Sequence, residues 1–272
     1  MKDGLVTAAI LTHNEVAMIE PCLMTLEWCN SVVILDQHSV DKTVERAKNF
    51  GARVLISDVP SFAARRELLR GACHTEWILY IDADERVTPQ LAAEIQKLVS
   101  ENQADVGSFY RKNFFFGKNF KHGGWQGEVV TRLFRVSNLR GWQGCIHESP
   151  IFEGSCRQLD SELWHFSHRS VADGLSKSAM WTPLEAELLA DSLPSRVSMW
   201  TIIRKGLGEV WRRGILHSGW QDGSSGSIEV LTQMINRMLV YMQVWERQQQ
   251  PSIASRYQQL ENEVKSLWLK SH

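Results

Sequence analysis

Four short apolar runs early in the chain, each followed by a helical pattern, limit the folds open to this sequence. The runs lie at residues 5–11, 31–35, 52–56 and 77–81. Runs that are apolar throughout are typical of strands buried on both faces of a sheet. Strands that alternate with helices form parallel sheets, because each helix carries the chain back to the same edge. The sequence therefore predicts an α/β fold whose mostly parallel sheet is flanked by helices.

Polar residues follow three of these runs. They are residues 12–15 after the first run, Asp36 after the second, and Asp82, Asp84 and Glu85 after the fourth. The carboxyl ends of parallel strands share one edge of the sheet, where ligands bind in open α/β folds. On extended backbone Asp82 and Asp84 would point the same way and suit a divalent cation that holds phosphates. For this pair alone, the alternative is a surface turn with both acids facing water.

Composition narrows the class of protein. The chain has 272 residues, of which 43% are hydrophobic and 22% are charged, and these values are ordinary for a soluble globular protein. Its formal net charge of −1 argues against a general nucleic-acid binder. Five cysteines without C-x-x-C spacing predict reduced thiols, with no zinc site or disulfide framework. No apolar run is long enough for a membrane span, and the first run lacks the pattern of a secretion signal.

The pattern changes after residue 105. Strands are predicted at residues 105–110, 129–136 and 163–166. Helical patterns follow at residues 171–191, 198–216 and 228–249, with a polar helix after Pro251. Glycine and serine residues at 221–226 predict a hinge. We therefore expect a domain of residues 1–168 followed by a C-terminal helical region of residues 169–272.

Eight short motifs occur in order along the chain. They are ILTHNE at 10–15, ILD at 34–36 with SVDKT at 39–43, FAARR at 62–66, YIDADE at 80–85, GW at 124–125, RLFR at 132–135, IHE at 146–148 and HFS at 165–167. The ordered set resembles family 2 glycosyltransferases of the GT-A fold, in particular the lipopolysaccharide core glucosyltransferases. The resemblance implies a Rossmann-like nucleotide-diphospho-sugar transferase, with a nucleotide-sugar-binding half at residues 1–104 and an acceptor half at residues 105–168. The chain departs from the family at Gln37 and His38, where many relatives have a further acid, and at Arg66, where Asn is common.

The resemblance also implies which residues bind the donor. The candidates for contacts with a nucleotide sugar are Thr12, Asn14, Glu15, Asp36, Arg65, Asp82 and Ala83. Asp36 is expected to accept a hydrogen bond from the base imide, and Arg65 to lie at the ribose or diphosphate. Asp36 could instead cap a helix, and Arg65 could pair with a surface acid.

The same resemblance implies a divalent metal, Mn²⁺ or Mg²⁺, held by Asp84 and His165. His165 follows an apolar strand pattern, where a hydrogen-bonded core histidine is the alternative, and His168 is the rival ligand. A bound cation would stabilise the departing diphosphate, so no protein acid is needed for the leaving group.

Glu148 is the candidate general base. In an inverting displacement one carboxylate takes the proton of the acceptor hydroxyl while the hydroxyl oxygen attacks opposite the diphosphate. His147 is the rival base, because histidine titrates nearer neutrality.

Three further residues are candidates for contacts with the acceptor or with phosphate groups: Arg132, Arg135 and Trp125. Arg132 and Arg135 flank an apolar pair on a predicted strand, and we expect both to face one side and bind phosphates. A charged outer face is the alternative. Trp125 suits stacking on a sugar ring, with core packing as the alternative.

The C-terminal helices carry two different apolar patterns. Residues 195–215 interleave tryptophan and aliphatic residues with five basic residues and one acid, Glu209. Such a helix suits an anionic membrane surface, although packing on the catalytic domain would also explain it. The apolar stripe in residues 228–245 is more typical of a core or a subunit interface.

Together these features predict a metal-dependent inverting glycosyltransferase that uses a UDP-sugar, expected to be UDP-glucose. The expected acceptor is a lipid-linked glycan such as the lipopolysaccharide inner core, and the expected location is cytoplasmic, peripheral to the inner face of the cell membrane. No nucleic-acid partner is expected, and a homo-oligomer is left open. The enzymatic alternative is a sugar-phosphate nucleotidyltransferase, for which a Gly-rich basic loop would be expected after the first strand. The other alternative is a non-catalytic nucleotide-sugar-binding protein.

Overall fold

The computed structural model describes residues 6–59, 61–144, 148–193 and 195–270. Its strands are β1 (Val6–Thr12), β2 (Ser31–Asp36), β3 (Arg53–Ile56), β4 (Trp77–Asp82), β5 (Glu85–Val87), β6 (Val106–Phe115), β7 (Lys118–Asn119), β8 (Glu128–Arg135), β9 (Leu139–Gln143), β10 (Ser149–Phe152) and β11 (Cys156–Phe166). Its α-helices are α1 (Ile19–Met24), α2 (Thr43–Asn49), α3 (Phe62–Ala72), α4 (Pro89–Ser100), α5 (Val171–Ser192), α6 (Met199–Glu209), α7 (Gly223–Arg247) and α8 (Ile253–Lys270). A π-helical turn (Val210–Leu216) and a 3₁₀ turn (Gly219–Asp222) lie between α6 and α7.

Nine of the described strands form one sheet, in the order β3-β2-β1-β4-β8-β6-β11-β5 with β7 paired to β6. The first four strands of the chain run parallel, as predicted. β8 then runs antiparallel to both β4 and β6, whereas β11 runs parallel to β6. β9 and β10 form a separate antiparallel pair. The result is the predicted mixed α/β fold with a C-terminal helical region.

The core lies on both faces of the sheet, because alternate residues of each buried strand point to opposite sides. Ala8 and Leu79 belong to one apolar cluster, whereas their neighbours Ala9 and Tyr80 belong to another. Each face is covered by helices whose starts are set locally. The hydroxyls of Ser61 and Thr88 cap α3 and α4 by accepting backbone N–H bonds.

The chain divides into two compact units. The first runs to Phe120 and resumes from Trp125 to Ser167, and it contains the large sheet. The second comprises Lys121–Gly124 and the chain from His168 onward. It has its own apolar cluster, which includes Ile202 and Val244. No helix among the described residues is both long enough and apolar enough to cross a bilayer.

The predicted hinge at residues 221–226 is wrong. α7 begins at Gly223, so most of that segment is the first turn of a helix. A Cβ atom added at Gly226 would lie 2.1 Å from the carbonyl oxygen of Gly219, so only glycine allows this approach. The carboxylate of Asp222 accepts backbone N–H bonds from Lys121 and His122 at 3.2 and 2.9 Å. Small residues serve close packing here rather than flexibility.

Other elements differ from the prediction in extent. The segment at residues 198–216 is α6 as far as Glu209 and then a π-helical turn. The short strand predicted at residues 163–166 is the end of the 11-residue β11. β5, β9 and β10 were not predicted. In the stripe at residues 228–245, Tyr241 is buried whereas Ile235 and Trp245 are exposed.

Candidate active site

The ends of three parallel strands meet at one edge of the sheet. In the register of the sheet, Thr12 at the end of β1 lies opposite Asp36 at the end of β2. On the other side of β1, Leu11 lies opposite Asp82 at the end of β4. The predicted convergence of these strand ends is therefore present.

The loops after β1 and β2 are tied together by hydrogen bonds around Asp36. This carboxylate is fully buried. It accepts the Thr12 hydroxyl at 2.8 Å, and both the backbone N–H and the hydroxyl of Ser39, at 2.8 and 2.5 Å. This geometry favours a loop-holding role for Asp36, and its expected contact with the base stays a prediction.

Asn14 and Glu15 extend the same arrangement. Asn14 adopts a left-handed backbone with φ of 56°, and its side-chain oxygen accepts the backbone N–H of Val40 at 2.9 Å. The backbone N–H of Glu15 donates to the hydroxyl of Thr43 at 2.8 Å. The loop after β1 and the loop after β2 thus form one hydrogen-bonded unit beside the sheet edge.

A chain of charged contacts connects Asp82 to Glu148. Arg132 on β8 donates to Asp82 at 2.6 Å. Arg66 on α3 lies with its Nη2 atom 3.7 Å from Asp82, and its Nε donates to Glu148 at 2.7 Å. The Arg66 guanidinium is buried over the Trp142 ring, 4.7 Å from its centroid. Two residues far apart in sequence are thus held on one buried cation.

The ionisation of Asp82 depends on these arginines. Burial opposes the charged form, but Arg132 and Arg66 outweigh it and hold the pKa of Asp82 below its usual range. Glu85 behaves in the opposite way, because burial and the neighbouring Asp82 raise its pKa despite Arg132. Glu85 is fully buried and accepts the backbone N–H of Asp82 at 2.9 Å.

Asp84 and His165 lie close together, with Oδ2 and Nε2 3.4 Å apart. β11 pairs with β6 so that His165 lies opposite Asn113, whose side-chain oxygen is 2.7 Å from His165 Nδ1. The amide nitrogen of Asn113 donates to the backbone oxygen of Trp125 at 2.8 Å and to Glu128 at 3.1 Å. The amide oxygen therefore accepts from Nδ1–H, and in the neutral ring this assignment places the lone pair of Nε2 toward Asp84.

This donor set fits a divalent cation. A carboxylate oxygen and an imidazole nitrogen suit Mn²⁺ or Mg²⁺ when phosphate and water oxygens complete the shell. Within the described part of the chain, no group of three or more His, Cys, Asp or Glu residues could enclose a metal. The rival ligand His168 is bonded instead to the buried Glu229, at 2.9 Å. Asp84 and His165 together could therefore hold a metal only with ligands from a donor molecule or from water.

The remaining predicted residues occupy varied surroundings. Arg65 is buried, with its Nε donating to the backbone oxygen of Val59 at 2.6 Å. Ala83 is buried in the turn between β4 and β5. Trp125 is half-buried and packs on Phe115 and Phe120, with ring centroids 5.3 and 5.7 Å away, as in the core-packing alternative. His147 lies outside the described residues.

The expectation that Arg132 and Arg135 face one side is wrong. Residues three apart on a strand point to opposite faces. Arg135 pairs with Glu76 and lies 4.8 Å from the centre of the Trp77 ring, in the cluster on the other face from Tyr80. Arg135 therefore lies on a charged outer face, which was the alternative to phosphate binding. Arg132 lies in the candidate site.

Several residues of this site were not predicted. Arg111 lies 3.4 Å from Glu85 and 2.7 Å from Glu128, which is its partner in the register of β6 and β8. Asn113 orients His165, as described above. Arg66 stood out only as a departure from the family pattern. Arg111 and Asn113 occupy alternate positions on β6 and so face the same side of the sheet, and this spacing was the available signal.

Comparison with known proteins identifies the family of the chain. Residues 7–165 match the family model described as Glycosyl transferase family 2. An uncharacterized glycosyltransferase of Rickettsia bellii (strain RML369-C) is 34% identical over 195 residues, which cover 67% of this chain and 66% of that protein. The chain thus spans just under two thirds of the length of that relative.

Two other proteins are similar over more of the chain. The lipopolysaccharide core biosynthesis glycosyltransferase LpsC of Rhizobium meliloti (strain 1021) is 23% identical over 249 residues, 89% of this chain and 92% of LpsC. Among solved structures, S. aureus TarS 1-349 in complex with UDP-GlcNAc has a TM-score of 0.47 at 13% identity, covering 91% of this chain and 92% of that one.

Proposed function

Because the chain belongs to glycosyltransferase family 2, we propose that it moves a sugar from a nucleotide sugar to a hydroxyl of a lipid-linked glycan, with inversion at the anomeric carbon. The proposed donor is UDP-glucose and the proposed acceptor is an inner-core glycan of lipopolysaccharide. Similarity to a lipopolysaccharide core glycosyltransferase over 89% of the chain supports this acceptor class.

One observation carries the proposal. Glu148 is held 2.7 Å from Arg66, which also lies 3.7 Å from Asp82, while Asp84 and His165 face each other at 3.4 Å. The acid for the acceptor is connected to the nitrogen–oxygen pair for a cation by a series of side-chain contacts that runs from Asp82 through Arg132, Glu85, Arg111, Glu128 and Asn113 to His165. An inverting transferase needs both groups in one site.

In the proposed reaction Glu148 is the general base. Its Oε1 accepts the N–H of Arg66, which fixes the carboxylate, and the proton of the acceptor hydroxyl would pass to Oε2. As that O–H bond breaks, the oxygen forms a bond to the anomeric carbon of the donor. The bond from that carbon to the diphosphate oxygen breaks, and the diphosphate leaves with the electron pair.

The other side chains would hold the donor. Asp84 and His165 are the proposed ligands of a divalent cation, which when bound would neutralise the leaving diphosphate. Asp82 is the proposed ribose contact, since the low pKa of its carboxyl keeps it an acceptor of hydroxyl hydrogen bonds. Thr12, Asn14 and Glu15 remain the proposed contacts of the base, on the loop beside the sheet edge.

We further propose that the enzyme works on the cytoplasmic face of the membrane through α6 and the π-helical turn after it. Large apolar side chains on this segment are exposed: Met199, Trp200, Leu207, Trp211, Ile215 and Leu216. The single acid, Glu209, is buried and neutralised by Arg212 at 2.7 Å and by Arg213 and Arg237 at 3.9 and 3.5 Å. The free surface of the segment is therefore apolar and basic, as an anionic lipid surface requires.

Replacing Glu148 with Gln tests the reaction. We expect Glu148→Gln to lower the rate of nucleoside diphosphate release by about 10²- to 10⁴-fold while donor affinity is retained, because only proton removal is lost. Turnover is measured with UDP-glucose, Mn²⁺ and a lipid-linked acceptor, and affinity by calorimetry with UDP. Glu153→Gln, a change at an exposed carboxylate paired with Arg140, is the control. Full activity of Glu148→Gln would rule out Glu148 as the base.

A further inference from the structure

The last helix, α8, carries an apolar stripe that is open to solvent. No side chain of α8 is buried between Ile253 and Lys270. Tyr257, Leu260, Val264 and Leu267 are each more than half exposed. A solitary exposed apolar residue is ordinary, but a continuous stripe along one helix indicates a surface that is covered by a partner.

The spacing of the stripe indicates what kind of partner covers it. Together with Ile253, these residues are separated by four, three, four and three positions. This is the 3.5-residue period of a coiled-coil seam, in which a straight helix face meets another helix. In the heptad notation Tyr257 and Val264 occupy a positions. Ile253, Leu260 and Leu267 occupy d positions. Among parallel coiled coils, valine at a with leucine at d, as in Val264 with Leu260 and Leu267, favours two strands.

The charges beside the stripe favour a second copy of α8 in parallel. Arg256 occupies a g position and Glu261 the following e position, which face each other across a parallel pair. Two such ion pairs would form in a dimer. An antiparallel pair crossing at the middle of the helix would instead bring Glu261 and Glu263 against their own copies, and like charges repel.

The same charges argue against a lipid surface as the partner of α8. The polar side of α8 carries Glu261 and Glu263 as well as Arg256, Lys265 and Lys270. Helices that lie on anionic membranes have a basic polar face, as on α6. We propose that α8 pairs in parallel with α8 of a second copy of this chain, so that the full chain is a homodimer.

Sedimentation velocity of the full chain over a wide concentration range tests the proposal. We expect a dimer that dissociates on dilution, and we expect Leu260→Glu with Leu267→Glu to leave only monomer. Asn262→Glu, on the opposite face of α8, is the matched control and should stay dimeric. Circular dichroism of each variant establishes that the helices are retained. A wild-type monomer at every concentration would overturn the proposal, as would a dimer that survives the double leucine change.

Charge reversal tests the parallel arrangement. Arg256→Glu alone and Glu261→Arg alone should each weaken the dimer by about fivefold, because two attractive pairs become repulsive. The double variant should restore wild-type affinity. Failure of the double variant to restore it would overturn the parallel pairing. In a further outcome, the Leu260→Glu/Leu267→Glu variant loses vesicle binding and keeps the dimer. That result would assign the stripe to lipid and overturn the proposal. The readout is mass and not turnover, so it is independent of the glycosyl transfer reaction.

Discussion

At the residue scale, Arg132 is a cation that Asp82 and Glu85 share. It donates to Asp82 at 2.6 Å and lies 3.5 Å from Glu85, which has no exposed surface. Arg132→Met would leave the fully buried Glu85 and the half-buried Asp82 with one cation fewer. Removing one partner of a buried ion pair costs about 3–5 kcal/mol, because a charge is left buried without compensation. We expect a loss of this size in the free energy of unfolding measured with urea.

The control for Arg132 is Arg140, which pairs with Glu153 at 2.6 Å at the protein surface. Arg140→Met should leave the unfolding midpoint unchanged, since exposed pairs contribute little. An equal effect of the two substitutions would show that the burial of Glu85 beside Arg132 is not what makes Arg132 important.

The lowered pKa of Asp82 predicts a specific pH dependence. A carboxyl whose folded-state pKa is depressed stabilises the protein above the unfolded pKa, about 3.9, and loses that contribution as the pH falls through the folded value. The difference in unfolding free energy between wild type and Asp82→Asn should therefore shrink as the pH is lowered from about 6 to about 3. The pKa of Glu85 is shifted the other way and is itself raised by Asp82, so the difference between the two proteins reports the titration of Asp82 together with its effect on Glu85.

A difference that stays constant over this pH range would show that Asp82 titrates normally. Urea unfolding at each pH is the measurement. Glu153→Gln, which changes a carboxylate remote from the buried acids, corrects for the general effect of removing one charge.

A site residue could be predicted when the neighbouring sequence alone determines where it lies. Asp82 and Asp84 follow directly from a buried strand that ends in acids, so their placement could be predicted from the pattern alone. Arg111 and Asn113 could not, because their roles come from strand pairing between β6, β8 and β11, which is set by packing over long sequence separations. The prediction for Arg135 was wrong for a simpler reason. Residues three apart on a strand point to opposite faces of the sheet, so Arg132 and Arg135 do not share a face.

At the element scale, the same contrast holds. The parallel strands β1, β2 and β4 could be predicted because their apolar runs are largely buried, whereas β3 has a similar run but is a partly exposed edge strand. β9 and β10 are short and partly exposed, so their sequences carry no clear alternation. The start of α7 was missed because glycine and serine are typical of loops, whereas here Gly226 allows close approach to Gly219.

The exposed tryptophans of α6 and of the π-helical turn predict membrane binding. Trp200→Ser with Trp211→Ser should reduce co-sedimentation with anionic vesicles, because both aromatic side chains would leave the lipid interface. Binding of the wild-type protein should weaken as salt is raised, since basic residues supply the attraction to the anionic surface.

Trp268→Ser on α8 is the matched control, because Trp200 and Trp268 are each 67% exposed. If that substitution reduced vesicle binding as much as the change in α6, tryptophan content rather than the α6 surface would explain the binding. Vesicles of neutral lipid separate the apolar contribution from the electrostatic one.

At the scale of the whole molecule, the site should couple donor binding to metal binding. The proposed metal ligands Asp84 and His165 are only two groups, so a cation bound there would need the diphosphate of the donor to complete its shell. Ligand binding to the folded state raises stability by about 2.7 kcal/mol when the ligand is at 100 times its Kd. For a chain of this size that corresponds to a rise in Tm of about 5–10 °C.

We therefore expect UDP with Mn²⁺ to raise the Tm by that amount, and either component alone to raise it much less. A screen of other nucleoside diphosphates under the same conditions identifies the base that the loops after β1 and β2 accept. Asp84→Asn should abolish the part of the shift that depends on Mn²⁺ while leaving the Tm of the protein without ligand near that of wild type. Glu153→Gln should keep the full shift. Equal shifts with and without Mn²⁺ in the wild-type protein would mean that the diphosphate is held by side chains such as Arg65 and not by a cation, and the metal assignment of Asp84 and His165 would be withdrawn.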